Sequence, residues 1–287
     1  MHGAGPLDIK ASFSMMRPVN CAMIGFAVMI GYFVSKPPSA SPLPIALGFV
    51  TGFAICAFSM VANDYYDVEV DRVNQPARPL PSGAVSKGEA VALAATTLVV
   101  GLAAASATLD PYALLIAALY AALAWLYDYR VKAYGLVGNL IVASSLAIPF
   151  VYGGVVSGGD VAGSLLLFMA STSLLAGVGR EVVKAMADVP GDQKRGIRSY
   201  AAVHGLRSAS LVGALFFLLA VVTSLLPLLL LHVNAFYRFG VVLPDAAFVY
   251  LAYSIVTRAD AKGALRVKRT ALMGMILGLI VFVGGAF

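Results

Sequence analysis

Long apolar runs, parted by short charged or Pro/Gly-rich breaks, recur from residue 16 to the end of this 287-residue chain, and they leave its backbone few ways to fold. Runs of this length partition into hydrocarbon, where each backbone N–H and C=O must be satisfied within its own segment, so they are read as membrane-spanning helices. The breaks place nine, near 16–34, 43–70, 88–109, 112–128, 136–156, 161–188, 207–232, 239–257 and 269–287. Pro244 and Asp245 interrupt the eighth, a break tolerated only where protein or water covers the backbone. The expected fold is all-α: a polytopic membrane protein, a bundle of nine transmembrane helices around a central cavity. Only 12% of residues are charged, and no polar stretch is long enough for a separate soluble domain, so 1–287 is expected to be a single transmembrane domain. Met1–Ser14 lacks the pattern of a cleavable leader, and the first helix is expected to remain as an anchor.

Charge sets an orientation on this frame. Of the 20 Lys and Arg residues, 18 fall on the side of the N-terminus, and only Lys36 and Arg238 fall on the other. Such an excess marks the cytoplasmic face, giving an inner N-terminus and an outer C-terminus in a cell-membrane protein. The net charge of +6 thus suits phosphorylated substrates and anionic lipid head groups far better than nucleic acid. Cys21 and Cys56 lie inside apolar runs without metal-type spacing, and His2, His204 and His232 are scattered, so neither a histidine metal site nor a serine triad is supported.

The second run ends in Asn63-Asp64-Tyr65-Tyr66-Asp67-Val68-Glu69-Val70-Asp71. If the helix continues at about 100° per residue, Asn63, Asp64, Asp67 and Asp71 share one stripe and Glu69 points away. Crowded carboxylates beside hydrocarbon need a compensating cation, and oxygen-only donors favour Mg²⁺; the alternative is a solvated acidic loop. Tyr65 and Tyr66 would border such a site or sit in an interfacial aromatic belt.

A second charged cluster closes the sixth run. Arg180, Glu181, Lys184 and Asp188 fall within about 100° of one another on a helix that Pro190 and Gly191 are expected to end, leaving Asp192 in a loop. A plain i,i+4 pair between Lys184 and Asp188 is the bland reading. Yet both clusters follow even-numbered spans and so emerge on one membrane face. Halves of about 130 residues, helices 1–4 and 5–8, each with one acidic cluster, suggest an internal duplication. Two carboxylate clusters interleaved with Arg and Lys could hold a diphosphate through Mg²⁺, above an apolar cavity suited to an isoprenoid chain.

These motifs resemble the UbiA superfamily of intramembrane prenyltransferases, nine-helix proteins with an N-D-x-x-D-x-x-x-D first motif and a D-x-x-x-D-type second motif. Asn63, Asp64, Asp67 and Asp71 match the first, and Asp188 and Asp192 the second. Arg17-Pro18-Val19-Asn20, the stretch from Arg72 to Gly83 and the stretch from Tyr127 to Asn139 are similar as well. Asn74-x-Pro76-x-Arg78-Pro79-Leu80-Pro81-Ser82-Gly83 and Gly179-Arg180-Glu181-Val182-Val183-Lys184 are most similar to the archaeal ether-lipid branch, although Ala185 and Pro190 stand where that branch commonly carries Asp and Glu.

The resemblance implies Mg²⁺-dependent transfer of a geranylgeranyl group from geranylgeranyl diphosphate to the hydroxyl of geranylgeranylglyceryl phosphate. The alternative acceptor is aromatic, such as 4-hydroxybenzoate or a quinone precursor, and a secondary transporter is the remote alternative. Asn63, Asp67, Asp71, Asp188 and Asp192 are the expected metal ligands, with Asp64 at or beside the ion and counted with the four other acids as catalytic. Arg17, Asn63, Arg72, Arg78, Arg130, Lys132, Asn139, Arg180 and Lys184 are the expected substrate contacts. The partners implied are a prenyl diphosphate, a lipid-like or aromatic acceptor and membrane lipids, with no nucleic acid and no protein.

Overall fold

The computed structural model describes residues 8–194 and 197–287, and in those residues the chain is helical, its one β-bridge an isolated parallel pairing of Tyr134 with Arg198. Eight helical segments are long and apolar enough to cross a membrane, and a ninth is formed by a pair bent by 47°, Ile9–Met15 (α1) with Pro18–Val34 (α2). The nine-span expectation therefore holds, with more internal breaks than the apolar pattern implies.

Proline and glycine account for several of them. Pro18 opens α2 and Pro42 opens α3 (Pro42–Tyr66), where a missing N–H removes no helical bond. After α3 the chain bends at Asp67 (φ −89°, ψ 0°) into α4 (Val68–Asn74), so the expected helix over 43–70 is two pieces. α5 (Lys87–Ala107) begins on a Ser86/Glu89 capping box, and Asp110 caps α6 (Pro111–Tyr129). A short 3-10 turn, Val131–Ala133, leads to α7 (Gly135–Ser144) and α8 (Ile148–Ser157), which make up the fifth span, broken just before Pro149.

In the second half α9 runs Leu165–Lys194, past Pro190 and Gly191. The expectation that these residues end the sixth helix and leave Asp192 in a loop is thus corrected, because a proline inside a helix removes one hydrogen bond and bends the rod without having to stop it. α10 (Tyr200–Leu225) starts earlier than expected, bent at Gly205 (φ 81°, ψ 163°), and α11 (Pro227–Leu230) completes that span. The eighth span is α12 (Ala235–Gly240) and α13 (Val242–Thr257); it breaks at Val241, and Pro244 sits harmlessly in the first turn of α13. α14 (Ala261–Ala286) begins eight residues before the expected start, because Asp260 accepts a 2.6 Å bond from Gly263 N and caps it.

The bundle packs in two parts. α2 lies between α3 and α8, and α3 lies along α5, while α9 is clasped by α10 and α14. α2 and α8 meet at glycines: a Cβ on Gly153 would stand 1.9 Å from the Val28 carbonyl oxygen, and one on Gly31 would stand 2.0 Å from that of Phe150. Small residues at such crossings let backbones touch, the main packing device where lipid offers no hydrophobic drive. Around α9, α10, α13 and α14 a dense core forms from residues such as Val178, Val182, Met186, Phe217 and Ile255.

Candidate active site

The acids closing α3 sit in a net of cations contributed by three other parts of the chain. Arg17 occupies the break between α1 and α2 in the left-handed region (φ 52°, ψ 64°), an unfavourable place for a residue with a Cβ and one that precedes a proline. Such strain persists only where its surroundings fix it. Here the guanidinium donates to Asp64 Oδ1 at 2.5 Å and to Met60 Sδ at 3.3 Å. Arg78 Nη1 donates to Asp71 Oδ2 at 2.5 Å and to the same Asp64 oxygen at 3.3 Å, tying both acids together. Its loop is pinned by Leu80 and Val85, which bury against Met15, Val61, Val68 and Ala90. Lys132, on the turn after α6, pairs with Asp67.

The Asn63 side chain donates from Nδ2 to Asp128 at 2.7 Å, across from the end of α6. Tyr66 accepts a 2.9 Å bond from Trp125 Nε1, and Trp125 stacks on Tyr129, which seats α6 against α3. Asp64 and Asp71 are buried, their side chains 5% and 7% exposed, while Asp67 is 24% exposed. The expected stripe is therefore real in register but not straight: Asp67 N still bonds Asn63 O and Asp71 N still bonds Asp67 O across the bend. Glu69 does point outward and pairs with Arg72 on the surface.

On α9, buried Glu181 accepts from Arg180 Nη1 and from Lys184 Nζ, both at 2.8 Å. The expected Lys184–Asp188 pair is replaced by this one, since a lysine reaches a buried carboxylate one turn back more profitably than an exposed one ahead. Asp188 is exposed and has no ion pair among the described residues, but it continues the Glu181 stripe, two turns further on. The side chain of Asp192 lies outside the described residues. The hydroxyl of Tyr127, near the end of α6, is within electrostatic reach of Asp67, Asp128 and Glu181.

Among the other expected contacts, Arg130 is exposed and without an ion pair among the described residues, and Asn139 has a buried amide nitrogen with no hydrogen-bond partner there. Two acids missing from the expected site are Asp128 and Glu181. Each was in view, Asp128 inside the Tyr127–Asn139 stretch and Glu181 on the α9 stripe, but neither belongs to an acidic spacing.

Beneath the mouth lies a cavity of about 270 Å³ between α2, α3, α6 and the fifth span. Met60 and Ser59 are at its upper end, Ile24, Ile55, Ile116 and Pro149 along its walls. An acid–base mouth over an apolar pocket within a helical membrane bundle is the layout of an enzyme that works on an anionic head attached to a hydrocarbon tail.

That class is given its family by comparison with known proteins: the model of the UbiA prenyltransferase family matches residues 24–285, and the chain belongs to that family. It is a multi-pass membrane prenyltransferase. The chain is 37% identical to the digeranylgeranylglyceryl phosphate synthase of Archaeoglobus fulgidus, over 97% of this chain and 96% of that one. It is 34% identical to the synthase of that name from Methanocaldococcus jannaschii, again over 97% and 96%. A solved structure of a digeranylgeranylglyceryl phosphate synthase superposes with a TM-score of 0.88 at 30% identity, covering 97% of this chain and 98% of that one. A UbiA homologue from Archaeoglobus fulgidus, solved with DMAPP and Mg²⁺, shares the fold with a TM-score of 0.72 at 20% identity, over 94% and 98%.

Proposed function

We propose that the chain transfers a geranylgeranyl group from geranylgeranyl diphosphate to the free hydroxyl of geranylgeranylglyceryl phosphate, forming an ether bond, with Mg²⁺ at the mouth. The observation that carries this reading is the mouth itself: Asp64, Asp67 and Asp71 held by Arg17, Arg78 and Lys132, with Asp128 held by Asn63, directly above the apolar chamber. The names of the relatives support the acceptor.

The donor set fits the ion. Among the described residues no three His, Cys, Asp or Glu side chains are gathered into a cage, and the carboxylates are held by cations instead. Four acids against three cations leave the cluster one negative charge in excess, and every donor is oxygen, as Mg²⁺ prefers. Asn63 commits its Nδ2 to Asp128, which leaves its carbonyl oxygen without a hydrogen bond among the described residues and free for a cation. Asn63, Asp67 and Asp71 would hold one ion with Asp64 at or beside it, and Asp188 and Asp192 a second. Bound there, Mg²⁺ neutralises diphosphate oxygens and improves the leaving group.

The chain's own groups do the rest. Arg17, Arg78 and Lys132 can turn part of their hydrogen bonding from carboxylate to phosphate oxygens, and Arg180 and Lys184 can do so from the α9 side. Arg72 and Arg130, exposed at the same end, suit the acceptor's phosphate, and Asn139 offers an unpaired amide for a polar group. The chamber keeps water from the allylic carbon, whose C–O bond to the diphosphate breaks as the acceptor oxygen bonds to it. The hydroxyl proton passes to the carboxylates and diphosphate oxygens of the mouth. The site faces the cytoplasm, where the excess of basic residues supports its placement. The whole chain acts as one catalytic unit, the two halves each contributing one charged helix end.

Purified protein supplied with geranylgeranyl diphosphate, geranylgeranylglyceryl phosphate and Mg²⁺ should release pyrophosphate and yield the doubly prenylated glyceryl phosphate by mass spectrometry, and chelation should stop it. Product formed with 4-hydroxybenzoate alone would overturn the acceptor.

A further inference from the structure

The lower end of the chamber is closed by side chains rather than open to the far side of the membrane. Val28, Thr51 and Tyr152 line its deepest part. Below, Val28 and Tyr152 pack with Ala105, Ala113 and Ala117 into a buried apolar layer. Tyr152 is by far the largest side chain of that layer and is 4% exposed. Its hydroxyl has no hydrogen-bond partner among the described residues. A tyrosine buried without using its polar end holds its place by the shape of its ring.

The depth of this floor can be measured on α3, a continuous helix from the floor to the mouth. Asp64 stands 13 residues beyond Thr51 (64 − 51), which at 1.5 Å per residue is about 20 Å. An extended isoprenoid gains about 5 Å per unit, from the same bond lengths and angles that extend a peptide about 3.5 Å per residue, so roughly 20 Å holds four units. We propose that Tyr152, with Val28 and Thr51, forms the floor that limits the prenyl donor to four isoprene units, the ring of Tyr152 occupying the space a fifth would need. This rests on the prenyl-diphosphate reading of the mouth and adds to it the residues that select chain length. The buried partners of the ring in that layer are mainly alanines, with Leu102, Ile116, Val155 and Val156 at its margin, so removing the ring opens room at the centre of the floor. Thr51 works from the opposite wall, facing the Tyr152 hydroxyl: its own hydroxyl donates to Leu47 O in its own helix, and a larger apolar residue there raises the floor.

The chamber also has a side opening near its top, where Asn20 and the 63%-exposed Met23 line it, and a long tail could leave there. The test separates the two routes. Detergent-purified full-length protein is given equimolar mixtures of allylic diphosphates of three, four and five isoprene units with the glyceryl phosphate acceptor, and products are counted by mass spectrometry. The wild type should favour four units. Tyr152→Ala should raise the five-to-four product ratio by about tenfold or more, since one methylene in a hydrophobic pocket already discriminates about tenfold and an isoprene unit adds five carbons. Thr51→Phe should move the preference toward three units, and Tyr152→Phe, which keeps the ring, should hold the wild-type ratio.

Wild-type protein that takes five units as readily as four, or an active Tyr152→Ala with an unchanged ratio, would overturn the floor and leave the transferase reading intact. Should Tyr152→Ala fail to fold, Thr51→Phe decides, and an unshifted preference there overturns the floor. Failure of the wild type to consume any diphosphate would overturn the transferase reading, and the floor with it.

Discussion

Both halves of the chain bury carboxylates, and they satisfy them in opposite ways. At the end of α3, Asp64, Asp67 and Asp71 are held by Arg17, Arg78 and Lys132, of which Arg17 and Lys132 lie 47 and 65 residues from the acids they pair with. In the second half, Glu181 takes its cations from its own helix, and Asp245 takes a hydroxyl, Ser224 Oγ donating to its Oδ1 at 2.7 Å. Charges drawn together from distant elements exist only when the whole front of the bundle is assembled, and they are concentrated where a diphosphate would sit. A charge resolved within its own helix, as at Glu181, demands nothing of the fold, and the Ser224–Asp245 bond demands only that α10 pack on α13. The difference sets a front mouth, assembled from charges of distant elements, against a back half whose buried carboxylates are answered within one helix or one helix pair, and it is the ground on which we take the front as the site and the back as its support.

The largest effect that could break this contrast is at Asp67, the least buried of the three front acids. Asp67→Ala should lower turnover about 10³-fold, in the range of losing a preorganised electrostatic group, while the protein elutes and melts as the wild type does. Near-wild-type turnover would remove the mouth from the chemistry. Next is Asp188→Ala, expected to lose about 10²-fold if α9 supplies the second side of the diphosphate site. An effect no larger than that of a surface change would make the charges of α9 structural and leave the front cluster alone as the site. Smaller again is Arg78→Lys. Both acid contacts of Arg78 come from Nη1, which leaves the rest of its planar donor set for a phosphate; an ammonium is a point charge without that set, so KM for the diphosphate should rise about tenfold with kcat little changed. A fall in kcat at constant KM would shift Arg78 from holding the ground state to holding the transition state.

How much of this was legible in the sequence follows from the same contrast. Spans and front acids could be read because hydropathy and helical spacing are local: Asn63, Asp64, Asp67 and Asp71 keep their register even though the helix bends at Asp67. The bend itself left no local mark, because no proline or glycine stands there. Asp128 was invisible as a site residue for a related reason. It is a lone acid at the end of α6, and what gives it meaning is Asn63, 65 positions earlier. Pro190-Gly191 misled in the other direction: the pair reads as a stop, but a helix already anchored by α10 and α14 along its length continues to Lys194. Asp260 carried a legible signal, a cap before α14, hidden within a run of basic residues read as loop.

Asp245 gives the mildest prediction and the sharpest check on the contrast between halves. It is a carboxylate inside a span, 9% exposed, on the far side of the dense back core. A small cavity of about 40 Å³ beside it is lined by Thr172, Ser173, Ser224 and Phe248. Its Oδ2 has no hydrogen-bond partner among the described residues, and neither has the hydroxyl of Thr172 in the same cavity. By composition alone an acid in a membrane span is a candidate for function, yet it has no ion pair among the described residues, and Ser224 answers it from α10, with Tyr237 donating to the Ser224 carbonyl at 2.6 Å. Asp245→Asn keeps the acceptor for Ser224 and turns the unpaired oxygen into a donor that can reach an unpaired hydroxyl. Hydrogen bonds inside membrane bundles contribute about 0.6 kcal/mol on average, so the melting temperature should move by no more than a few degrees, upward if the new donor finds Thr172, and turnover should not change. A folded Asp245→Asn that has lost turnover would put chemistry in the back half, and the division between a built front and a supporting back would fall.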